Sequence, residues 1–148
     1  MKRPDFMSFA LAEAEAAAAR GEVPVGAVLV QDGEIIASAG NRTRELKDAT
    51  AHAEMMVIRE ASRKLAAERL TGCDLYVTLE PCAMCAAAIS FARVRRLYFG
   101  AVDEKGGAVV SGGRFYASPT CHHAPDVYPG IGERPASAIL TSFFQSRR

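Results

Sequence analysis

Hydrophobic residues recur along this chain with two different periods, and the switches between them mark out the elements. After Asp5, which suits an N-cap, FMSFALAEAEAAAARG carries apolar side chains broken at Glu13 and Glu15, and Gly21 supplies a stop. An amphipathic first helix is predicted there. VPVGAVLVQDGEIIASAGN then reads as two apolar strands, residues 27–31 and 34–38, joined by Asp32-Gly33 into a hairpin. TAHAEMMVIREASRKLAAERL returns to helical spacing with Met55, Ile58, Ala61 and Leu65. Thr50 suits the N-cap of this helix, which puts His52 and Glu54 in its first turn. DLYVTL, residues 74–79, reads as a short buried strand, and Pro81 takes the first position of a helix running PCAMCAAAISFA.

RRLYFGAV looks like another strand, while the stretch from Gly106 to Gly132 has the glycine and proline punctuation of a loop. RPASAILTSFFQSRR resumes a helical pattern through Ala138, Ile139, Phe143 and Phe144. Elements that alternate in this way after an opening hairpin predict an α/β domain with helices covering a mixed sheet. The chain has 148 residues and neither an internal repeat nor a long linker, so a single domain, 1–148, with one site is expected.

Composition removes several classes of function. Apolar residues are 49% and charged residues 24% of the chain, near globular averages. No apolar run approaches the roughly 18 residues of a membrane span, so no membrane partner is expected. The basic tip ahead of FMSFALA imitates a secretion signal, but a capped helix explains more of the residues, and a cytoplasmic location is expected. A net charge of +1 gives no global pull toward nucleic acid, so such a partner needs a local patch. Of the four cysteines (Cys73, Cys82, Cys85 and Cys121), the close pair Cys82 and Cys85 suits metal or redox chemistry in a reducing compartment better than a disulfide.

Cys82 and Cys85 share one face at a helix start, where the positive end of the helix favours thiolates. With His52 they make a His-Cys-Cys set that leaves the fourth position of a tetrahedral zinc for water. Zinc lowers the pKa of such a water to about 7, and Glu54 would take the proton. Residues two apart do not share a helix face, so His52 and Glu54 converge only on a metal that lies ahead of the helix end. Three other readings compete: a closed structural site with Cys73, a thioredoxin-like redox pair, and chance. Strand 74–79 spans roughly 20 Å, which puts Cys73 at the wrong end. The redox pair leaves His52 and Glu54 without a role, and H-x-E paired with P-C-x-x-C makes chance a poor account.

H-A-E at 52–54 followed by P-C-A-M-C at 81–85 matches the H-x-E…P-C-x-x-C signature known for zinc nucleobase deaminases. Together with EVPVGAVLV, LYVTLEPCAMC and FGAVDEKGGAV, it makes the chain resemble the bacterial tRNA-specific adenosine deaminases from about Phe6 to Val109, and again at FFQSRR. The resemblance implies a three-layer α/β/α, cytidine-deaminase-like fold with a mixed sheet of about five strands. It makes His52, Cys82 and Cys85 ligands of one Zn2+ per subunit and Glu54 the proton shuttle. It also implies attack of a zinc hydroxide on C6 of adenine, releasing ammonia and leaving inosine. The implied substrate is the wobble adenosine flipped from the anticodon loop of an arginine tRNA, and the implied assembly is a homodimer.

Asn41 matches an asparagine that contacts the base in this family, and Asp103 and Lys105 match a D-x-K loop near the flipped nucleotide. The plainer readings are a turn residue and an exposed loop of mixed charge. Candidates for gripping single-stranded RNA are RVRR at 93–96, Lys105, Phe143, Phe144, Arg147 and Arg148. Phenylalanines also suit a core, and Arg95 or Arg96 a strand flank. SGGRFYASPTCHHAPDVYPGIG departs from the family: His122-His123 is present, but APDVYPG stands where an Asn-His stretch is usual. Cys121-His122-His123 reads as loop, because adjacent residues rarely converge on one ion. Two other functions remain open, a deaminase of free bases or nucleosides such as guanine or cytosine, and a zinc-stabilised RNA-binding module without turnover.

Overall fold

The computed structural model describes residues 5–147. In chain order they form α1 (Phe6–Ala19), β1 (Gly26–Gln31), β2 (Glu34–Gly40), α2 (Ala53–Leu65), β3 (Cys73–Leu79), α3 (Ala83–Phe91), β4 (Arg96–Ala101), β5 (Asp126–Tyr128) and α4 (Glu133–Gln145), with a short 3₁₀ turn at Phe115–Ala117. The strands make one five-stranded sheet in the order β2-β1-β3-β4-β5. β1 runs antiparallel to β2 and β3, and β4 runs parallel to β3 and β5, so the sheet is mixed as expected.

Alternation along the central strands explains the layers. Ala27 and Leu29 of β1, Leu75 and Val77 of β3, and Leu97 and Phe99 of β4 pack with Val57 and Ala61 of α2 and Ala86 and Ile89 of α3. The intervening Val28, Val30, Tyr76 and Tyr98 face α1, meeting Met7 and Ala10. Both faces are therefore covered, which is why DLYVTL reads as an unbroken apolar run rather than an alternating one. α4 packs against β4 and α1, completing the three-layer α/β/α architecture.

α1 is capped by Asp5, whose Oδ1 accepts the Ser8 N–H at 3.2 Å. Its buried stripe, Met7, Ala10, Ala14 and Ala17, is mostly alanine. The helix backbone thus comes down onto β1, and a methyl group at Gly26 would lie 2.0 Å from the Ala10 carbonyl oxygen. Only glycine fits under that contact, and it fixes where the segment before β1 enters the wall of the site.

Four local expectations are corrected. Helix α2 has His52 as its N-cap rather than Thr50, because both the amide and the hydroxyl of Thr50 bind Asp48 Oδ1, at 2.9 and 2.7 Å. Helix α3 is likewise preceded by Cys82, so Pro81 lies one residue outside it rather than at its first position. The expected loop contains β5, an edge strand between Pro125 and Pro129 that is too short to show a period. In α4 the buried residues are Ala136 and Phe143; Ala138 and Phe144 point outward. Among the described residues no helix is long and apolar enough to cross a membrane.

Candidate active site

Two helix N-termini, those of α2 and α3, meet beside the end of β3. His52 and Cys82 occupy the two N-cap positions in extended conformation, with ψ of 154° and 176°, and Cys85 sits in the first turn of α3. His52 Nδ1 lies 3.6 Å from Cys82 Sγ and 3.5 Å from Cys85 Sγ. All three donor atoms fall within 4.8 Å of one another, and they are the only such group among the described residues. A tetrahedral zinc with Zn–S near 2.3 Å and Zn–N near 2.0–2.1 Å has N···S edges of about 3.6 Å. The side chains present therefore fit zinc, with one corner of the tetrahedron left for a non-protein ligand. Cys73 starts β3, at the opposite end of the strand from Cys82, and supplies no fourth ligand.

The N-cap placement resolves the spacing conflict of H-x-E. His52 reaches back ahead of α2, whereas Glu54 lies on the buried stripe of that helix with Ala53, Val57 and Ala61. Glu54 is 4% exposed, in a position that would otherwise take an apolar residue. Burial pushes its carboxyl up to about 7, and the sulfur of Cys82 adds to the rise. The Cys82 thiol is drawn down to about 4, chiefly by its hydrogen bond with Cys85; burial opposes this and His52 assists it. Cys85 is raised by the same bond and by burial, and His52 is raised by its bond to Cys82. The cluster thus favours a thiolate poised for a cation.

A cleft of about 260 Å³ opens in front of this cluster, lined by Val23, Val25, Asn41, Thr43, His52, Glu54, Leu79, Glu80, Cys82, Asp103 and Gly106. Asn41 is 9% exposed, and its Oδ1 accepts the Ala53 N–H at 2.8 Å, tying the end of β2 to the first amide of α2. Asp103 Oδ1 accepts the N–H groups of Lys105 and Gly106 at 3.2 and 3.0 Å, folding its own loop. Lys105 is exposed and does not line the cleft. A second cleft of about 440 Å³ shares Val23, Leu79 and Asp103 with the first and continues along α4 past Leu140, Thr141 and the half-exposed Phe144.

Several RNA-gripping candidates are committed elsewhere. Arg95 forks onto Asp74 through two 3.1 Å contacts and Arg96 approaches the same carboxylate at 3.8 Å, at the start of β3. Arg93 donates to the Ser90 carbonyl. Phe143 is buried, with the Arg147 guanidinium 4.1 Å from its ring centre. Arg148 lies outside the described residues. The Cys121-His122-His123 segment is a pinned loop: His123 Nε2 donates to the Val94 carbonyl at 2.8 Å, and Ser90 Oγ donates to the His123 carbonyl at 2.6 Å.

Two buried carboxylates brace the cleft walls, and sequence reasoning passed over both. Glu22 accepts the N–H groups of Arg44 and Glu45 at 3.1 and 2.8 Å. Glu80 binds the loop that carries Asp103. The only sequence hint was a glutamate set directly against an apolar strand, in LEPC. Burial by itself would raise the Glu22 carboxyl, but the amides of Glu45 and Arg44 outweigh it and hold the group below its ordinary 4.5. The unfolded chain therefore takes up this proton first, and the stabilisation is fully present above pH 4.5 and lost as pH falls through the lower folded value. In denaturant unfolding, the stability gap between wild type and Glu22→Gln is expected to be widest near neutral pH and to close in acid. A gap independent of pH would sink this assignment.

Comparison with known proteins agrees with this geometry. A family profile described as the cytidine and deoxycytidylate deaminase zinc-binding region matches residues 1–101. The tRNA-specific adenosine deaminase of Agrobacterium fabrum is 65% identical over 99% of this chain and 97% of its own length. A solved structure from work on A-to-I editing by tRNA:A34 deaminases at the wobble position of transfer RNA superposes with a TM-score of 0.90 at 67% identity, covering 91% of this chain and 98% of that one. Guanine deaminase from Bacillus subtilis is 40% identical with a TM-score of 0.66, covering 69% of this chain and 66% of its own. The His-Cys-Cys cluster is thus a set that could hold the zinc this family binds, and the chain belongs to the cytidine and deoxycytidylate deaminase zinc-binding family, in its tRNA-specific adenosine deaminase branch.

Proposed function

We propose that this chain hydrolytically deaminates the wobble adenosine of a tRNA, that of an arginine tRNA, to inosine, as one catalytic domain in a cytoplasmic homodimer. The observation that carries the reading is a buried glutamate beside a His-Cys-Cys set spaced as tetrahedral edges, at the bottom of a cleft sized for a base.

His52, Cys82 and Cys85 would hold zinc, which when bound supplies a Lewis acid able to activate water near neutral pH. Glu54 manages the protons. In its ionised form this carboxyl, raised toward neutrality by burial, takes a proton from the attacking water and passes it to the ring nitrogen, then takes the remaining proton from the new C6 hydroxyl and delivers it to the amine as the C–N bond breaks. Asn41 offers its side-chain amide to the base edge, held in orientation by the bond to Ala53. Val23, Val25 and Leu79 give the flipped ring apolar surface and exclude bulk water. The cleft under α4 gives neighbouring nucleotides a path past Asp103, with Lys105 and Phe144 exposed beside it for backbone charge and stacking.

The test is to incubate the zinc-loaded protein with an anticodon stem-loop bearing a wobble adenosine, and separately with adenosine, guanine and cytidine. Inosine in the stem-loop alone is the expected result. The likeness to a guanine deaminase makes free guanine the sharpest competitor. Ammonia released only from a free base or nucleoside would keep the zinc chemistry and discard the RNA substrate, and a tightly bound stem-loop with no product would leave an RNA-binding module.

A further inference from the structure

Glu80 is 2% exposed, and both of its oxygens are saturated by one loop. Oε1 accepts the Asp103 N–H at 3.0 Å and the Ser111 hydroxyl at 2.9 Å. Oε2 accepts the N–H groups of Val109, Val110 and Ser111 at 3.0, 2.9 and 3.0 Å. The loop is shaped to this carboxylate, since a Cβ on Gly107 would lie 2.4 Å from Glu80 Cδ. Both ends of the segment between Asp103 and Ser111 are thus gathered on a single side chain. Asp103 and Gly106, within that segment, line the cleft in front of the zinc ligands.

We propose that Glu80 is a positioning residue for the deamination: it sets the 103–111 loop as the wall against which the flipped nucleotide seats, without touching the reacting atoms. This rests on the RNA-deaminase reading above. The donor set explains why a carboxylate is needed. Every partner is a donor, so the group must accept in all five directions, which a carboxylate does and an amide does not.

Glu80→Gln consequently has a directional effect. Its NH₂ must face either three backbone N–H groups or one N–H and the Ser111 hydroxyl, and the hydroxyl can turn round to accept. The amide oxygen therefore keeps the 109–111 end, and the Asp103 end loses its acceptor. Only the stretch that lines the cleft loosens.

The experiment compares wild type and Glu80→Gln, both zinc-loaded, on the anticodon stem-loop, with kcat and KM, zinc content, and amide hydrogen exchange measured on each. The variant is expected to keep its zinc, to raise KM about tenfold while kcat stays within about threefold, and to exchange faster at 103–106 than at 109–111. An unchanged KM with a loosened loop would overturn the proposal, because the wall would then not serve the substrate. So would zinc loss with a collapse in kcat, which would make Glu80 a support for Cys82 instead. If the glutamine variant does not fold, Ser111→Ala removes one of the five bonds and carries the test. It is expected to raise KM about threefold at constant kcat, and an unchanged KM there refutes the role. Failure of the underlying function reading is distinct, because it shows as a wild type that leaves the stem-loop unedited.

Discussion

Glu54→Gln is expected to retain a full complement of zinc and to lower kcat on the wobble adenosine by about 10⁴-fold, with KM little changed. The size follows from the work assigned to one group. In the proposed mechanism Glu54 carries both water protons, one to the ring and one to the amine, and an amide has no basic site for either. The geometry around it survives, because glutamine is isosteric and the position is a buried one on the stripe shared with Val57 and Ala61. Stability is not expected to fall. In the metal-free chain burial raises the Glu54 carboxyl, so ionising it costs folding energy as pH rises from 4.5 through about 7, a cost that a neutral amide avoids. Single-turnover deamination alongside metal analysis reads both consequences. Most of the activity retained with zinc in place would remove Glu54 from the chemistry, and loss of zinc would make it a ligand.

The sheet and the metal set were legible because each rests on local pattern. β1, β3 and β4 are apolar on both faces, so their runs stand out, and His52, Cys82 and Cys85 are chemically rare types at telling spacings. β5 was not legible, since three residues, Asp126, Val127 and Tyr128, between two prolines are too few to show a period. The helix starts were read early for a related reason. Thr50 and Pro81 both obey start rules, but Thr50 is occupied by Asp48, and it is this delay that lets His52 and Glu54 converge on one point. RVRR reads either as a grip for RNA or as a strand flank, and the pairing of Arg95, with Arg96 close by, to Asp74 on the neighbouring strand is a contact between strands that the sequence does not display. Glu22 and Glu80 were the least visible of all. A lone glutamate in a sequence reads as a solvated charge, and only the folding of distant loops around each one shows it to be an internal fixture.

Cys85→Ala is expected to abolish both zinc binding and turnover, and to remove the dependence of thermal stability on zinc. The wild type carries that dependence because only the folded chain assembles the site: His52 and Cys82 are 30 residues apart and are delivered by separate helix starts. A ligand that binds only the native state at about 1,000 times its Kd adds about 4 kcal/mol, which for a chain of this size corresponds to roughly 10 °C in Tm. With one thiolate gone, the remaining histidine and cysteine give a two-ligand site that no longer holds the ion, so the Tm becomes flat in added zinc. Cys73→Ala is the matched control. It removes an equally buried thiol at the far end of β3, so it lowers Tm by the cavity it leaves while the zinc-dependent increment stays whole. Loss of that increment in the Cys73 variant would point to a closed four-ligand site with no corner left for water. Its survival in the Cys85 variant would put the metal elsewhere in the chain, and the reaction with it.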